Sequence, residues 1–264
     1  LTESTSSWDM TLNAAPGFDV GFVGVIHRAG TQIVNWYLLE EAGHVTILDA
    51  GCPGYRSQLD GALGEIGRSI KDVEAIVLTH AHVDHIGFAQ ILQDERGTPV
   101  YAHEAEMPQA RTGKAPKTEG SYLPALLRYR TARQVIFHIA RNGGVRPPKV
   151  AHVEGFTDGD ELDVPGHPRV AYTPGHSPGH CVLYVPTEGS AFVGDALCGW
   201  NTVTGEQGPI LPPPQFSNSM ARARSSLERI ERCDAETLYF GHGDPWTAGS
   251  AAAVAEARSR DAGN

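Results

Sequence analysis

The segment Thr79-His80-Ala81-His82-Val83-Asp84-His85 places four potential metal ligands within six positions, directly after an apolar run at 75–78 that reads as a buried strand. Alternate residues of a strand share a face, so His80 and His82 are expected to point together at the carboxyl end of a sheet. Asp84 and His85, where the chain turns into a helix, are expected to face a second point nearby. Imidazole and carboxylate are the donors that a borderline cation such as zinc selects, and a strand end supplies the rigidity a metal site requires. The chain is therefore expected to build a sheet whose carboxyl edge holds metal.

Three more segments repeat the arrangement. Thr173-Pro174-Gly175-His176-Ser177-Pro178-Gly179-His180 follows one apolar run, Val193-Gly194-Asp195 ends a second, and Phe240-Gly241-His242-Gly243 ends a third. Each sets a ligand-type residue among glycines, which allow a sharp backbone turn and leave room around an ion. Asp49, closing the run at 46–48, is a candidate to hydrogen-bond a ligand histidine, with turn capping as the alternative. His180 and His103 are read as structural, and the scattered Cys52, Cys181, Cys198 and Cys233 as buried thiols.

Short β-rich and apolar runs, separated by Pro and Gly turns, predict strands at 20–26, 32–38, 44–48, 75–78 and 100–102, then at 161–164, 170–172, 182–185, 191–193 and 237–240. Helical spacing appears in Leu59, Leu63 and Ile66, at 86–92, across 122–139 as one helix or two, and at 219–232 and 246–257. Two β-rich halves with intervening helices predict an α+β architecture of two packed sheets flanked by helices. The length suits one large domain, residues 1–264, with a basic helical insertion at about 105–149.

Taken together, these motifs resemble the metallo-β-lactamase superfamily, which includes glyoxalase II, lactonases, ribonuclease Z and many other hydrolases. The resemblance covers most of the chain. It implies a four-layer αββα sandwich of two mixed sheets with the metals at one edge between them. It implies that His80, His82 and His176 hold one metal, Asp84, His85 and His242 the other, and that Asp195 bridges both. Two Zn2+ are the default, with iron or manganese suited to the same donors. The implied chemistry is a bridging hydroxide attacking an ester, thioester or lactone carbonyl, with Asp84 orienting it.

Departures from known members narrow the reading. Antibiotic-degrading members lack a bridging Asp at the position of Asp195, which counts against a β-lactamase. Flavin-coupled di-iron members carry an acidic residue where this chain has His82. Glyoxalase II adds a helical C-terminal region, and acyl-homoserine lactonases place a Tyr where this chain has Cys198. The alternatives kept are a phosphodiesterase on a nucleotide or nucleic acid, a β-lactamase, and a non-catalytic binding protein that kept the fold.

Charge is the last clue. The chain carries −10 overall, which argues against a nucleic-acid-coating protein, yet the stretch 111–149 holds nine Lys and Arg against Glu119 alone, a net +8 that leaves −18 elsewhere. This stretch is expected to form either a substrate lid or a contact in a homodimer. As a lid its Arg128 and Tyr129, with Trp200 and Phe216 of the Gly- and Pro-rich loop 199–218, would meet a small-molecule substrate, anionic or carrier-linked. No apolar run is long enough to cross a membrane, and the first 20 residues lack a basic-then-apolar leader. A cytoplasmic protein is expected, and a chain that starts at Leu1 leaves room for a removed export signal.

Overall fold

The computed structural model describes residues 24–263. The chain begins with β1 (Val25–Gly30), β2 (Asn35–Glu41), β3 (His44–Leu48), α1 (Arg56–Glu65), β4 (Val73–Val77), α2 (Ala89–Arg96) and β5 (Val100–His103). Three helices follow, α3 (Met107–Thr112), α4 (Tyr122–Arg128) and α5 (Arg130–Ile139). The second half contains β6 (Glu154–Phe156), β7 (Arg169–Tyr172), β8 (Cys181–Val185), β9 (Ser190–Gly194), β10 (Cys198–Trp200) and β11 (Gln207–Ile210). It closes with α6 (Met220–Arg232), β12 (Thr237–Phe240) and α7 (Ser250–Ala262).

Strands β1 to β6 form one sheet in sequence order, antiparallel through β3 and parallel from β3 to β6. The second sheet runs β12-β9-β8-β7, and β10 pairs with β11 as a separate hairpin. Between the sheets lie Tyr37, Leu39, Leu48, Val77, Leu183 and Phe192. The alternate positions Trp36, Leu38, Ile47 and Ile76 pack outward against Leu59 and Leu63 of α1 and Leu92 of α2. On the far side Val193 and Leu238 meet Leu227 and Ile230 of α6 and Val254 of α7. Burial on both faces explains why four consecutive residues of β2, Trp36 to Leu39, are apolar, and the layers are helix, sheet, sheet, helix.

Direction of the strands brings the site together. β7 and β9 both run antiparallel to β8, and β12 runs parallel to β9, so the carboxyl ends of β7, β9 and β12 share one edge of their sheet. In the facing sheet β3 runs parallel to β4, which aligns Asp49 with the segment after Val77.

Several expectations need correction. The expected strand at 20–26 lies partly outside the described residues, and β1 runs from Val25. A tight turn closed by Thr31 N–H on the Val34 carbonyl pushes β2 to start at Asn35 instead of 32. Residues 161–164 make only one bridge, Glu161 to Arg169, and Leu162 and Val164 are buried between the sheets without a ladder. The unforeseen β6 forms because β5 offers it a free edge. The helix expected at 246–257 begins at Ser250, since Trp246 pairs with Leu238 and Gly249 turns the chain at φ 85°. Residues 122–139, expected as one helix or two, make two, broken at Tyr129, whose φ/ψ of −110°/125° is extended. Among the described residues no helix is long and apolar enough to cross a membrane.

Candidate metal centre

β4 ends at Val77, so His80 and His82 lie in the loop beyond it and not on a strand face. Their convergence therefore comes from side-chain and backbone anchors. Asp49 accepts from the Thr79 amide at 2.8 Å, from the Thr79 hydroxyl at 2.8 Å and from His85 Nδ1 at 2.7 Å. Because the Thr79 hydroxyl donates to Asp49, its oxygen is left to accept from His80 Nδ1 at 3.1 Å. One carboxylate thus sets the tautomers of two imidazoles, leaving the Nε2 lone pairs of His80 and His85 free. Asp49 has the hydrogen-bonding role expected for it, and Thr79 is a partner that the sequence pattern did not single out.

The other loops are tied down with similar density. His242 Nδ1 donates to the Ile33 carbonyl, directing Nε2 toward Asp195 Oδ2 at 3.0 Å and Asp84 Oδ2 at 3.7 Å. Buried Asn35 donates to the carbonyls of Phe240 and Gly243, and the Tyr37 hydroxyl donates to Phe240 as well. A side chain at Gly241 would place its Cβ 2.2 Å from Asp195 Oδ1, so glycine is required there by close approach. His180 accepts the Asp195 amide at 3.0 Å through Nε2, which makes it a support for Asp195. His103 stacks on Tyr172, away from the cluster.

Glu106 is the residue that sequence reasoning missed. It is 1% exposed and accepts from the Ala81 amide at 2.9 Å, the Ser177 hydroxyl at 2.5 Å and the Gly179 amide at 2.6 Å. It joins the loop carrying His80 and His82 to the loop carrying His176. Only its acidity flagged it in sequence, and acidic residues are common.

All seven candidates come together. His80, His82 and His176 form one group, Asp84, His85 and His242 a second, and His80, His85 and Asp195 a third, each with donor atoms within 4.8 Å of one another. Asp195 lies between, 3.4 Å from His176 Nε2 and 3.5 Å from His85 Nε2. His80 Nε2, His85 Nε2, His176 Nδ1 and Asp195 Oδ1 are buried without a hydrogen-bond partner. Buried polar atoms are nearly always satisfied, and the orphans of His80, His85 and Asp195 belong to one group of donors within 4.8 Å, which points to a cation as their partner. The donor set and its orphans fit divalent metal.

Electrostatics agree. Burial, reinforced by the neighbouring imidazoles, holds His80 and His176 well below the usual histidine range, so both are neutral donors. Burial also lowers His85, but Asp49, Asp195 and Asp84 outweigh it and raise the group to about 10, so these carboxylates favour a positive charge at this point, and a cation bound at Nε2 would take the place of the proton. Burial works to raise Asp195, yet His242, His85 and His176 hold it well below the carboxylate range. Replacing Asp49 with Ala is expected to lower metal affinity by roughly 10- to 100-fold, the size of effect seen when a ligand-orienting partner is lost. Competition with a metallochromic chelator measures this, and unchanged affinity would remove Asp49 from the role.

A cavity of about 450 Å³ opens onto the cluster, lined by His82, Asp84, His176, Asp195 and His242. Phe216 lines it as expected, together with Thr202 and Pro213 of the same loop. Trp200, Arg128 and Tyr129 do not. Trp200 is fixed by pairing with Gln207 in the β10–β11 hairpin, its backbone against Gly243. Tyr129 packs with Ala125, Ala132 and Val203, and the Arg128 guanidinium lies 5.5 Å over its ring. All nine basic residues of 111–149 are exposed and none lines the cavity, so this structure gives them no contact with a bound substrate.

Comparison with known proteins gives a consistent picture. The family described as Metallo-beta-lactamase superfamily matches residues 29–242. The probable metallo-hydrolase YflN of Bacillus subtilis is 27% identical over 241 residues, covering 84% of this chain and 85% of that protein. The probable metallo-hydrolase YybB of the same organism is 26% identical, covering 80% and 81%. Among solved structures, the metallo-beta-lactamase family protein TTHA1429 of Thermus thermophilus is 27% identical at a TM-score of 0.60, covering 92% of this chain and 80% of that one. The Rm3 metallo-beta-lactamase, 19% identical at a TM-score of 0.64 with 89% and 88% covered, shares the fold.

Proposed function

Because the chain belongs to the metallo-beta-lactamase superfamily and is a metallo-hydrolase of that group, we propose that it hydrolyses an ester, thioester or lactone at a dinuclear centre. The observation that carries the reading is the His/Asp cluster itself, which holds unpartnered buried donor atoms on His80, His85 and Asp195 and presents His82, Asp84, His176, Asp195 and His242 to a cavity. His80, His82 and His176 would hold one metal and Asp84, His85 and His242 the other, with Asp195 between them. Zinc is the default, and iron or manganese suits the same donors. When bound, two such cations supply Lewis acidity toward water and toward a carbonyl oxygen.

The chain's own residues arrange the remainder. Asp84 presents a carboxylate to the cavity beside His242 Nε2, where it would accept a hydrogen bond from the attacking water and aim it. Asp49 and Thr79 keep His80 and His85 in their donor tautomers throughout. Neither the cysteines nor Ser177 competes for the role: all four cysteines are buried, burial pushes the thiols up, and Ser177 is fully buried with its hydroxyl on Glu106. The solvent-facing cations also leave a phosphodiesterase without a phosphate grip in the cavity.

The test is initial rates on thioester, lactone, simple ester, β-lactam and phosphodiester substrates, using protein of determined metal content and a chelator-treated control. Acyl hydrolysis that disappears with the chelator and returns with metal is the expected result. Dominant phosphodiester or β-lactam cleavage would overturn the reading.

A further inference from the structure

The wall of the cavity opposite in chemistry to the histidine cluster is apolar. Val135, Ile136 and Ile139 of α5 line it, with Pro147, Pro148 and Phe216. No Lys or Arg among the described residues reaches it, and its only carboxylates are Asp84 and Asp195 of the candidate centre. Helix α5 is amphipathic in a consistent sense, turning Val135, Ile136 and Ile139 inward while Arg130 and Arg133 are exposed. This wall is also anchored. The Tyr55 hydroxyl meets His138 Nε2 at 2.5 Å, and the end of the helical segment packs against the body where Gly143 approaches Pro53.

We propose that the substrate is an uncharged acyl compound recognised by its apolar acyl chain, which lies against α5 and Phe216 while its carbonyl meets the metal centre. The proposal rests on the acyl-hydrolase reading and names its substrate class. A charged group placed on this wall would lose its hydration and gain no counter-ion, whereas an aliphatic chain loses only unfavourable contact with water. The volume of about 450 Å³ lies in the range of sites that enclose small molecules. The charge of the basic stretch, which suggested an anionic substrate in the sequence, lies on the solvent side.

The experiment is calorimetric titration of metal-loaded protein with 2-alkanones of increasing length, which mimic the acyl group and cannot be hydrolysed, alongside rates on matched ester, thioester and lactone series. Affinity is expected to rise about threefold to fourfold per methylene, the effect of burying one CH2, until the chain fills the cavity. Ile136→Trp should move that limit to shorter chains, and Phe216→Ala to longer ones, so the result does not depend on a single variant folding. Flat affinity along the series, with hydrolysis confined to short or anionic acyl substrates, would overturn the proposal and leave the hydrolase reading standing. Length-dependent ketone binding without hydrolysis of any acyl substrate would overturn the acyl-hydrolase reading, and with it the substrate class, while the apolar pocket remained.

Discussion

Asp195→Ala should lose bound metal and hydrolytic activity together, with the rate falling on the order of a thousandfold or more. The size follows from what a metal supplies: several kcal/mol of transition-state stabilisation, at about 1.36 kcal/mol per tenfold in rate. Asp195 is the one carboxylate placed among His85, His176 and His242, all within 3.5 Å. Its side chain is 5% exposed, so water cannot replace it as a ligand without rearrangement. Metal content by mass spectrometry and steady-state rates on the same preparation give the answer. Full activity with intact metal content would refute its position between the two metals. Asp195→Asn, which keeps the shape and one acceptor oxygen, should lose less metal than the alanine variant.

Glu106→Ala should lower the stability of the fold and loosen two loops of the candidate site together. It would leave the Ala81 amide, the Ser177 hydroxyl and the Gly179 amide buried without an acceptor. An unsatisfied buried donor costs about 1–3 kcal/mol, so the three together should cost about 3 kcal/mol or more. For a chain of this size that corresponds to a fall in Tm of roughly 6 to 12 °C. Metal affinity should drop in parallel, because the variant loosens the loops of His82 and His176 at once. Thermal unfolding in chelator isolates the stability effect, and a wild-type Tm there would show that Glu106 supports nothing. Glu106→Gln should recover part of the loss, since the amide retains one accepting oxygen but turns its NH2 toward donors.

How far the sequence led, and where it stopped, follows from the range of the interactions. The candidate ligands His80, His82, Asp84, His85, His176, Asp195 and His242 were legible because each sits in a short motif of ligand-type residues and glycines after an apolar run. Short apolar runs likewise announced two buried sheets, because burial on both faces is written into consecutive positions such as Trp36 to Leu39 of β2. Strand 161–164 misled because its alternation was satisfied by packing without a pairing partner, and pairing depends on a neighbour distant in sequence.

The supports and the substrate wall lay beyond that reach. Glu106 acts across 25 residues to Ala81 and 73 to Gly179, and Thr79 joins Asp49 across 30, separations that no window of local pattern spans. The basic stretch shows the same limit in another form. Its composition fixed how much positive charge α4 and α5 carry, but which way those helices turn their faces depends on where Val135, Ile136 and Ile139 find apolar partners. By itself the sequence determined the candidate donors and the short segments after apolar runs that carry them, since those are local. Only the tertiary structure decided the tautomers, the buttress at Glu106 and an apolar cavity with its cations in solvent, since each is set by contacts between segments far apart in the chain.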